Sequence, residues 1–421
     1  ADAVASIKRW MVKDTHGQTL AARMAEIRAI DDRRFAIRLD KPFGVMLAAL
    51  GKSSSYPCFI MPERFAGTPA TTPLTEVVGS GPYRFAADEW RSGALAVYRK
   101  FDAYIPTPVG QPSMTAGPKL AWFDRVEWQW SPDPATAAAA LQRGELDWLE
   151  RPSIDLLPLL KRDKSLVLDL VETNGSFVML RPNHITEPFS DPAARRAILP
   201  ALAQIDFMSS ISSDPSLYKV GVGCFPAGSP LASDEDMAVL TSPRSLDRTR
   251  DLLKQAGKAG ARTVVLNPGD QQTNNALTLV AEDLFQKAGL HVEDATSDWG
   301  TVLQRRAKKE PLDQGGWSAL IVLFGGEDMA NPGGNPLLRG NGADAWFGWP
   351  TSPVIESLRD QWFDAATPAD QAAIGRKIQA QFFIDVPYWP VGQYYLPTAY
   401  RTGLTDIRRG MCLPLNVRWS A

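Results

Sequence analysis

Glu327 and Asp328 are the residues with which this chain could most readily do chemistry. Two neighbouring carboxylates follow the apolar run 318–324, in a half of the sequence rich in Trp299, Trp317, Trp346, Trp349, Trp362 and Trp389. Carboxylates among aromatic rings suit glycoside hydrolysis, and a polysaccharide-active hydrolase using Glu327 is one reading. Adjacent residues diverge, however, so the two cannot flank one glycosidic bond. Rings around a few polar groups equally fit a pocket that only recognises its guest. The histidines, His16, His184 and His291, show no HExxH or other paired ligand spacing, which argues against zinc catalysis. Each lies beside a turn or polar segment and reads as solvated, although a Ser/His/Asp triad needs only one histidine. Cys58, Cys224 and Cys412 form no CxxC. They make either one disulfide, with Cys224–Cys412 the pair to test, or three thiols. Asp234-Glu235-Asp236 resembles a calcium-loop fragment but lacks the loop glycine and closing glutamate, and it reads as an acidic helix start. Gly221-Val222-Gly223 runs into Pro226 and opens no helix, and there is no Walker A loop or G-x-S-x-G elbow. No metal, cofactor or catalytic residue is expected.

The elements that must position these groups alternate. Residues 1–13 carry Val4, Ile7, Trp10 and Met11 at helical spacing, with Asp2 as the expected cap. Phe35, Ile37 and Leu39 alternate as in a half-buried strand, and Pro42 opens a short apolar helix, 43–50. The GSGPYRF segment (79–85) predicts a tight turn into a strand, with further strands at Leu95, Val97, Val126, Trp128 and Trp130. Residues 134–142 predict a helix between Pro134 and Gly144. The stretch 188–207 predicts a turn and then a helix that Pro200 kinks. Beyond residue 240, helices ending near Gln255 and spanning 273–288 and 298–309 alternate with strands at 264–266, 291–292 and 318–324. Two helices, 352–365 and 368–383, precede a Pro/aromatic loop, 387–397. This pattern predicts an α/β protein with mixed sheets flanked by helices.

The 421 residues suffice for two or three domains, and 45 Lys+Arg against 47 Asp+Glu leave no basic surplus, so nucleic acid is not an expected partner. No apolar run reaches the roughly 18 residues of a membrane span. The first residues show no basic n-region and no apolar h-region, hence no signal peptide.

Several segments together resemble the family 5 extracytoplasmic solute-binding proteins of ABC importers, the peptide, nickel and opine type. They are ADAVASIKRW, RRFAIRLDKPF, GSGPYRF with the later GALAVYRKFDAY, AAAALQRGELD, PFSDPAARRAI, LLKQAG and IQAQFFIDVPYWPVGQ, in family order across residues 1–397. The resemblance implies a two-lobe periplasmic binding protein (type II, cluster C-like) with an accessory subdomain. It assigns 1–88 to the accessory subdomain of lobe one, 89–176 to lobe one, 177–397 to lobe two and 398–421 to a return into lobe one, with hinge crossings near Ser176 and Leu396. Family members carry roughly 80–100 residues before the first helix seen here, including the signal peptide, so the resemblance implies that this part lies outside the chain.

For function the resemblance implies a monomer in the periplasm that encloses a small solute between its lobes and hands it to an ABC permease, without covalent chemistry. Ligand touching both lobes would stabilise the closed form. A third reading is a sensor that presents its solute to a receptor. Dipeptide-binding members carry "GW.GD" after a buried strand, where the Asp pairs with the ligand ammonium. Phe324-Gly325-Gly326-Glu327 stands there in this chain, so Glu327 either meets an amine-bearing ligand or caps the next turn in water. Where those members place an arginine for the ligand carboxylate, this chain has Asn267. A neutral amide replaces a bidentate donor, which points from dipeptides toward a longer oligopeptide, an opine or a saccharide. Trp317, Trp346, Trp349, Phe177 and Tyr394 are the candidate pocket walls, each either core or contact.

Overall fold

Apolar spacing sets the first helix, Asp2–Lys13, whose Ile7, Trp10 and Met11 are buried, in the computed structural model, which describes residues 1–420. Asp2 does not cap it. Asp2 lies in the first turn, and its carboxylate accepts from the Glu63 backbone N–H at 2.9 Å. Asp14 caps the next helix, Thr15–Arg23, by accepting from Gly17 N–H at 3.0 Å, and also pairs with Lys52. His16 is buried beside Asp14, with Nδ1 3.9 Å from the carboxylate, so it is not the solvated side chain expected.

Contacts divide the chain into two units. One comprises Ala1–Asp40, Met46–Asn174 and the segment from Tyr395 onward; the other comprises Lys41–Val45 and Gly175–Tyr394. The first unit contains the hairpin Met24–Ala29/Phe35–Leu39 and the antiparallel sheet Tyr83–Phe85, Leu95–Lys100 and Arg125–Gln129. Trp130 falls just beyond the last strand and is exposed. In its other three-stranded sheet Thr398–Arg401 lies between Trp148–Leu149 and Leu166–Asp169. The helix Pro134–Arg143 packs Ala138 and Leu141 against Leu160, Leu166 and Ala399. Asp133 caps it through Thr136 N–H, and Gly144 closes it at φ +75°, a left-handed conformation that costs glycine little.

The second unit is built on a six-stranded mixed sheet. Its strands, labelled along the chain, are β1 (Ser176–Pro182), β2 (Tyr218–Lys219), β3 (Arg262–Pro268), β4 (His291–Ser297), β5 (Ala319–Gly325) and β6 (Trp389–Tyr394). The spatial order is β4-β3-β5-β1-β6-β2. Strand β3 pairs parallel with β4 and β5, and the remaining pairs are antiparallel. Parallel strands need helical crossovers, supplied here by Gln272–Lys287 and Trp299–Arg305. The expected loop at 387–397 is in part β6, every residue of which is buried. Pro200 ends a helix rather than kinking it: Pro192–Ile198 gives way to a 3-10 turn, Leu199–Ala201, and helix resumes at Gln204.

Glu282, on the inner side of the Gln272–Lys287 helix, is 7% exposed, and its Oε1 makes no hydrogen bond. Burial, followed by the charge of and a hydrogen bond with Asp294, pushes its carboxyl up to about 7 from an ordinary 4.5. The folded state therefore holds this proton more tightly than the unfolded chain. Its contribution to stability is complete below pH 4.5 and is lost as pH rises through 7. Glu282→Gln is expected to unfold later than the parent at pH 8, by about 1 kcal/mol after allowing for solvent screening, and to show no such gain at pH 4.5. Urea denaturation at the two pH values checks this, and an equal effect at both would refute the assignment.

Candidate functional site

Strand register decides which of the sequence candidates meet. Phe324 of β5 lies opposite Phe177 of β1, and Gly325 lies opposite Ser176. On the other side of β1, Ser176 lies opposite Tyr394 of β6, which in turn faces Tyr218 of β2. One end of the sheet thus lines up Gly325, Ser176, Tyr394 and Tyr218 across four strands. Glu327 follows two residues after Gly325 in the short helix Gly326–Met329, which Gly325 precedes with extended backbone. Glu327 and Phe324 are half-buried, whereas Gly325 is exposed. The long segment of this unit, Gly175–Tyr394, has both its ends at this sheet end.

Trp346 joins this edge, its ring edge-on to Phe324 at 6.1 Å. Phe177 stays behind in the core, fully buried and 6.4 Å from the Tyr388 ring. Trp317 is fully buried too, donating its indole N–H to Arg306 O at 3.2 Å, and it packs on Trp349 at 6.2 Å. Trp349 is 5% exposed, with the Lys309 ammonium 5.1 Å over its ring. Trp317 and Trp349 are therefore the far end of an aromatic chain that runs through Phe347 to Trp346. Asn267 is buried near the end of β3, but the register Leu266↔Leu320 sets it four residues short of Gly325, roughly 13 Å along the strand direction. Its Oδ1 has no hydrogen-bond partner among the described residues.

Several groups near this wall carry no sequence signal. Arg181 on β1 is fully buried and donates only to backbone: to Phe347 O, Leu337 O and Pro387 O at 2.8 Å each, and to Trp346 O at 3.2 Å. Burial pulls its guanidinium down to about 9, above neutrality, so it stays charged. His184 is half-buried, with Nε2 3.4 Å from the Pro387 carbonyl oxygen. Burial, reinforced by the charges of Arg195 and Arg181, holds its imidazole well below the ordinary 6.5, so it is neutral and not solvated as expected. His291 is exposed. No signal short of the three-dimensional arrangement distinguishes Arg181 from a surface arginine.

All three cysteines are thiols. Of the two readings left open, one Cys224–Cys412 disulfide or three thiols, the structure has the thiols; Cys224 and Cys412 are both buried, and burial raises each well above an ordinary thiol. Among the described residues no group of three or more His, Cys, Asp and Glu side chains is placed to hold a metal ion. In the 234–236 acidic run, Glu235 O accepts from Gln379 Nε2. An open cavity of about 370 Å³ lies in the first unit, among Trp128, Trp148, Trp419, Glu127, Asp147 and Glu150. None of the candidate ligand-binding residues lines it, although Cys412 does. Among the described residues no helix is long and apolar enough to cross a membrane.

Comparison with known proteins agrees with this architecture. The family of bacterial extracellular solute-binding proteins, family 5 (middle), matches residues 1–334. A probable peptide ABC transporter periplasmic-binding protein of Sinorhizobium fredii is 36% identical over 410 residues, covering 97% of this chain and 76% of the relative. The glutathione-binding protein of Escherichia coli K12 is 25% identical over 412 residues, covering 92% of this chain and 72% of its own length. Among solved structures, the periplasmic binding protein DppA of Helicobacter pylori with the peptide STSA superposes with a TM-score of 0.78 at 19% identity, covering 99% of this chain and 81% of that one. The oligopeptide-binding protein AppA of Bacillus subtilis with a nonapeptide gives 0.76 at 16% identity, covering 100% and 83%.

Proposed function

As the chain belongs to the family 5 bacterial extracellular solute-binding proteins, the solute-binding components of ABC importers, we propose that its solute is a peptide or a peptide-like, amine-bearing molecule. The observation that carries this reading is the alignment of Phe324, Gly325, Glu327 and Tyr394 at one sheet end, with Trp346 against Phe324. In open α/β sheets ligands bind beyond the carboxyl ends of the strands, where β5 and β6 place these groups. Glu327 takes the solute's ammonium, because a half-buried carboxylate gains most from a cation it can partly desolvate. Phe324, Trp346 and Tyr394 supply apolar walls, and the exposed Gly325 lets a ligand backbone come close. Trp317, Trp349 and Phe177 hold the wall in place from behind, and Asn267, buried and set back along β3, takes no part in this edge. The identity to a probable peptide-transport relative supports a peptide over an opine or a saccharide.

The proposal extends to a periplasmic monomer that delivers its solute to a membrane permease and turns nothing over, with the lobe assignment as first read from the sequence. The hydrolase reading draws no support from the comparisons, all of which point to transport. Tryptophan fluorescence with short peptides, glutathione, agropinic acid and small saccharides tests the proposal, because Trp346 borders the site. Binding of free-amine peptides is expected, with Glu327→Gln weakening it by about tenfold or more and leaving N-acetylated peptides unaffected. Silence toward every amine-bearing probe, or hydrolysis that Glu327→Gln abolishes, would overturn it.

A further inference from the structure

The open cavity of the first unit, about 370 Å³, has the size of a small-molecule site, and every residue lining it belongs to that unit. Its walls come from the strand Arg125–Gln129, the strand Trp148–Leu149 with the turn before it, and the strand pair Leu404–Thr405/Arg418–Trp419. Packing holds these walls in place. Leu404 and Val417 form a buried cluster with Tyr400, and Phe123 and Trp148 rest against it. Trp148 is further fixed by its indole N–H, which donates to Thr398 Oγ1 at 2.5 Å, and by the Tyr400 ring, edge-on at 6.3 Å. Trp419 lies on the backbone of Gly403, where a Cβ would come within 2.6 Å of the indole.

Carboxylates dominate the charge of this lining. Glu127, Glu145, Asp147 and Glu150 stand there, and among the described residues Arg125 is the only basic group with them. Arg125 is already engaged, with Nε 2.6 Å from Glu127 and Nη1 2.7 Å from Glu89. Glu145 is taken by the Arg143 fork at 2.7 and 3.0 Å. Glu150 is half-buried and less well matched. It meets Arg151 Nε only at 3.7 Å, and Arg151 also reaches Glu172 at 3.4 Å. Burial pushes the Glu150 carboxyl up, with Arg151 opposing and Glu172 adding to the rise. Cys412, on the same lining, has its thiol raised by burial and then by the charges of Glu172 and Glu150. The cavity thus holds excess negative charge beside indole rings. A carboxylate partly out of water gains from a cation that brings its own apolar body, and indoles attract such a cation through their π faces. A bare metal ion fits less well, because no three metal-ligating side chains converge among the described residues. We propose that this cavity is a second binding site, taking a small organic cation with an apolar body, with Glu150 as its counter-charge and Trp128 and Trp148 as its walls.

Isothermal titration with benzyltrimethylammonium chloride, benzyl alcohol and benzoate tests the site. The cation is expected to bind about tenfold or more tightly than the alcohol, and benzoate not at all. Glu150→Gln should weaken the cation by about tenfold while leaving binding of the peptide STSA unchanged, and Trp128→Leu should weaken it several-fold. The near-isosteric Glu150→Gln protein should melt no earlier than the parent, which shows that the fold is intact. Equal binding of cation and alcohol, or cation binding that both variants leave unchanged, overturns the site. So does cation binding that Glu327→Gln removes, because the cation would then sit at the solute edge. The peptide reading stands apart from these results, since the STSA titration tests it separately.

Discussion

Arg181→Met is expected to destabilise the protein by about 3–5 kcal/mol, because it removes four of the hydrogen bonds that a buried charged group makes to backbone, at about 1.5–3 kcal/mol for the best of them. The side chain is wholly enclosed and spends four N–H bonds on the carbonyls of Leu337, Trp346, Phe347 and Pro387. Those carbonyls come from separate stretches of chain, so one guanidinium fastens the 337–347 loop and the start of β6 onto β1. Methionine fills much of the volume but donates nothing, which leaves the Leu337 and Phe347 carbonyls without this donor at about 1–3 kcal/mol each, while Trp346 O keeps the Trp349 N–H and Pro387 O keeps His184 nearby. Lysine should rescue little, because a point-like ammonium cannot reach acceptors arranged around a planar fork. The loop is fitted closely to this group. Gly348 has φ +95°, and a Cβ there would lie 2.9 Å from Arg181 Nε and 2.7 Å from Pro182 O. A urea midpoint for Arg181→Met equal to the parent's would show that the carbonyls are satisfied some other way. Because Trp346 is positioned by this staple, a partly folded Arg181→Met is also expected to lose its fluorescence response to solute.

Trp389→Ala is expected to cost about 3–5 kcal/mol, the usual price of removing a large aromatic from a packed core. The ring is fully buried in β6, 5.0 Å from Phe189 and 5.9 Å from Phe285, and its indole N–H donates to Arg195 O at 3.0 Å. Alanine opens a cavity between sheet and helices and orphans a carbonyl. Trp389→Phe should keep most of the packing and lose chiefly the hydrogen bond, about 1–2 kcal/mol. Thermal unfolding of the pair separates the two contributions. If the alanine and phenylalanine variants melted together, the ring contacts would be contributing nothing.

Trp389 also shows where the sequence was illegible. Residues 387–397 carry Pro387, Pro390 and Gly392, and by local rules they make a loop. The sheet accommodates them through a register shift between Pro390 and Gly392, a bulge at which a proline's missing N–H goes unneeded. Strand β1 gave no pattern to read either, because burial on both faces leaves it without polar alternation. Amphipathic helices were legible, since a buried stripe every three or four residues is a local signature. Leu246–Gln255, capped by Ser245, and Pro353–Asp364, capped by Ser352, start close to where the caps and prolines place them. The family was legible as well, from short segments in a fixed order.

Within the site, local sequence determined the residue types: an aromatic, two glycines and a carboxylate after an apolar strand, and tryptophans clustered downstream. It could not tell that Trp346 belongs to the edge while Trp317 and Trp349 support it from behind. It could not tell that His16 is buried and His184 half-buried, or that Arg181 and Arg306 face opposite situations, one bonded to four carbonyls and one to none. Those distinctions depend on which strands pair and in what register. Pairing joins residues such as Ser176, Gly325 and Tyr394 that are far apart along the chain, and no local pattern encodes the partner a buried polar group will find.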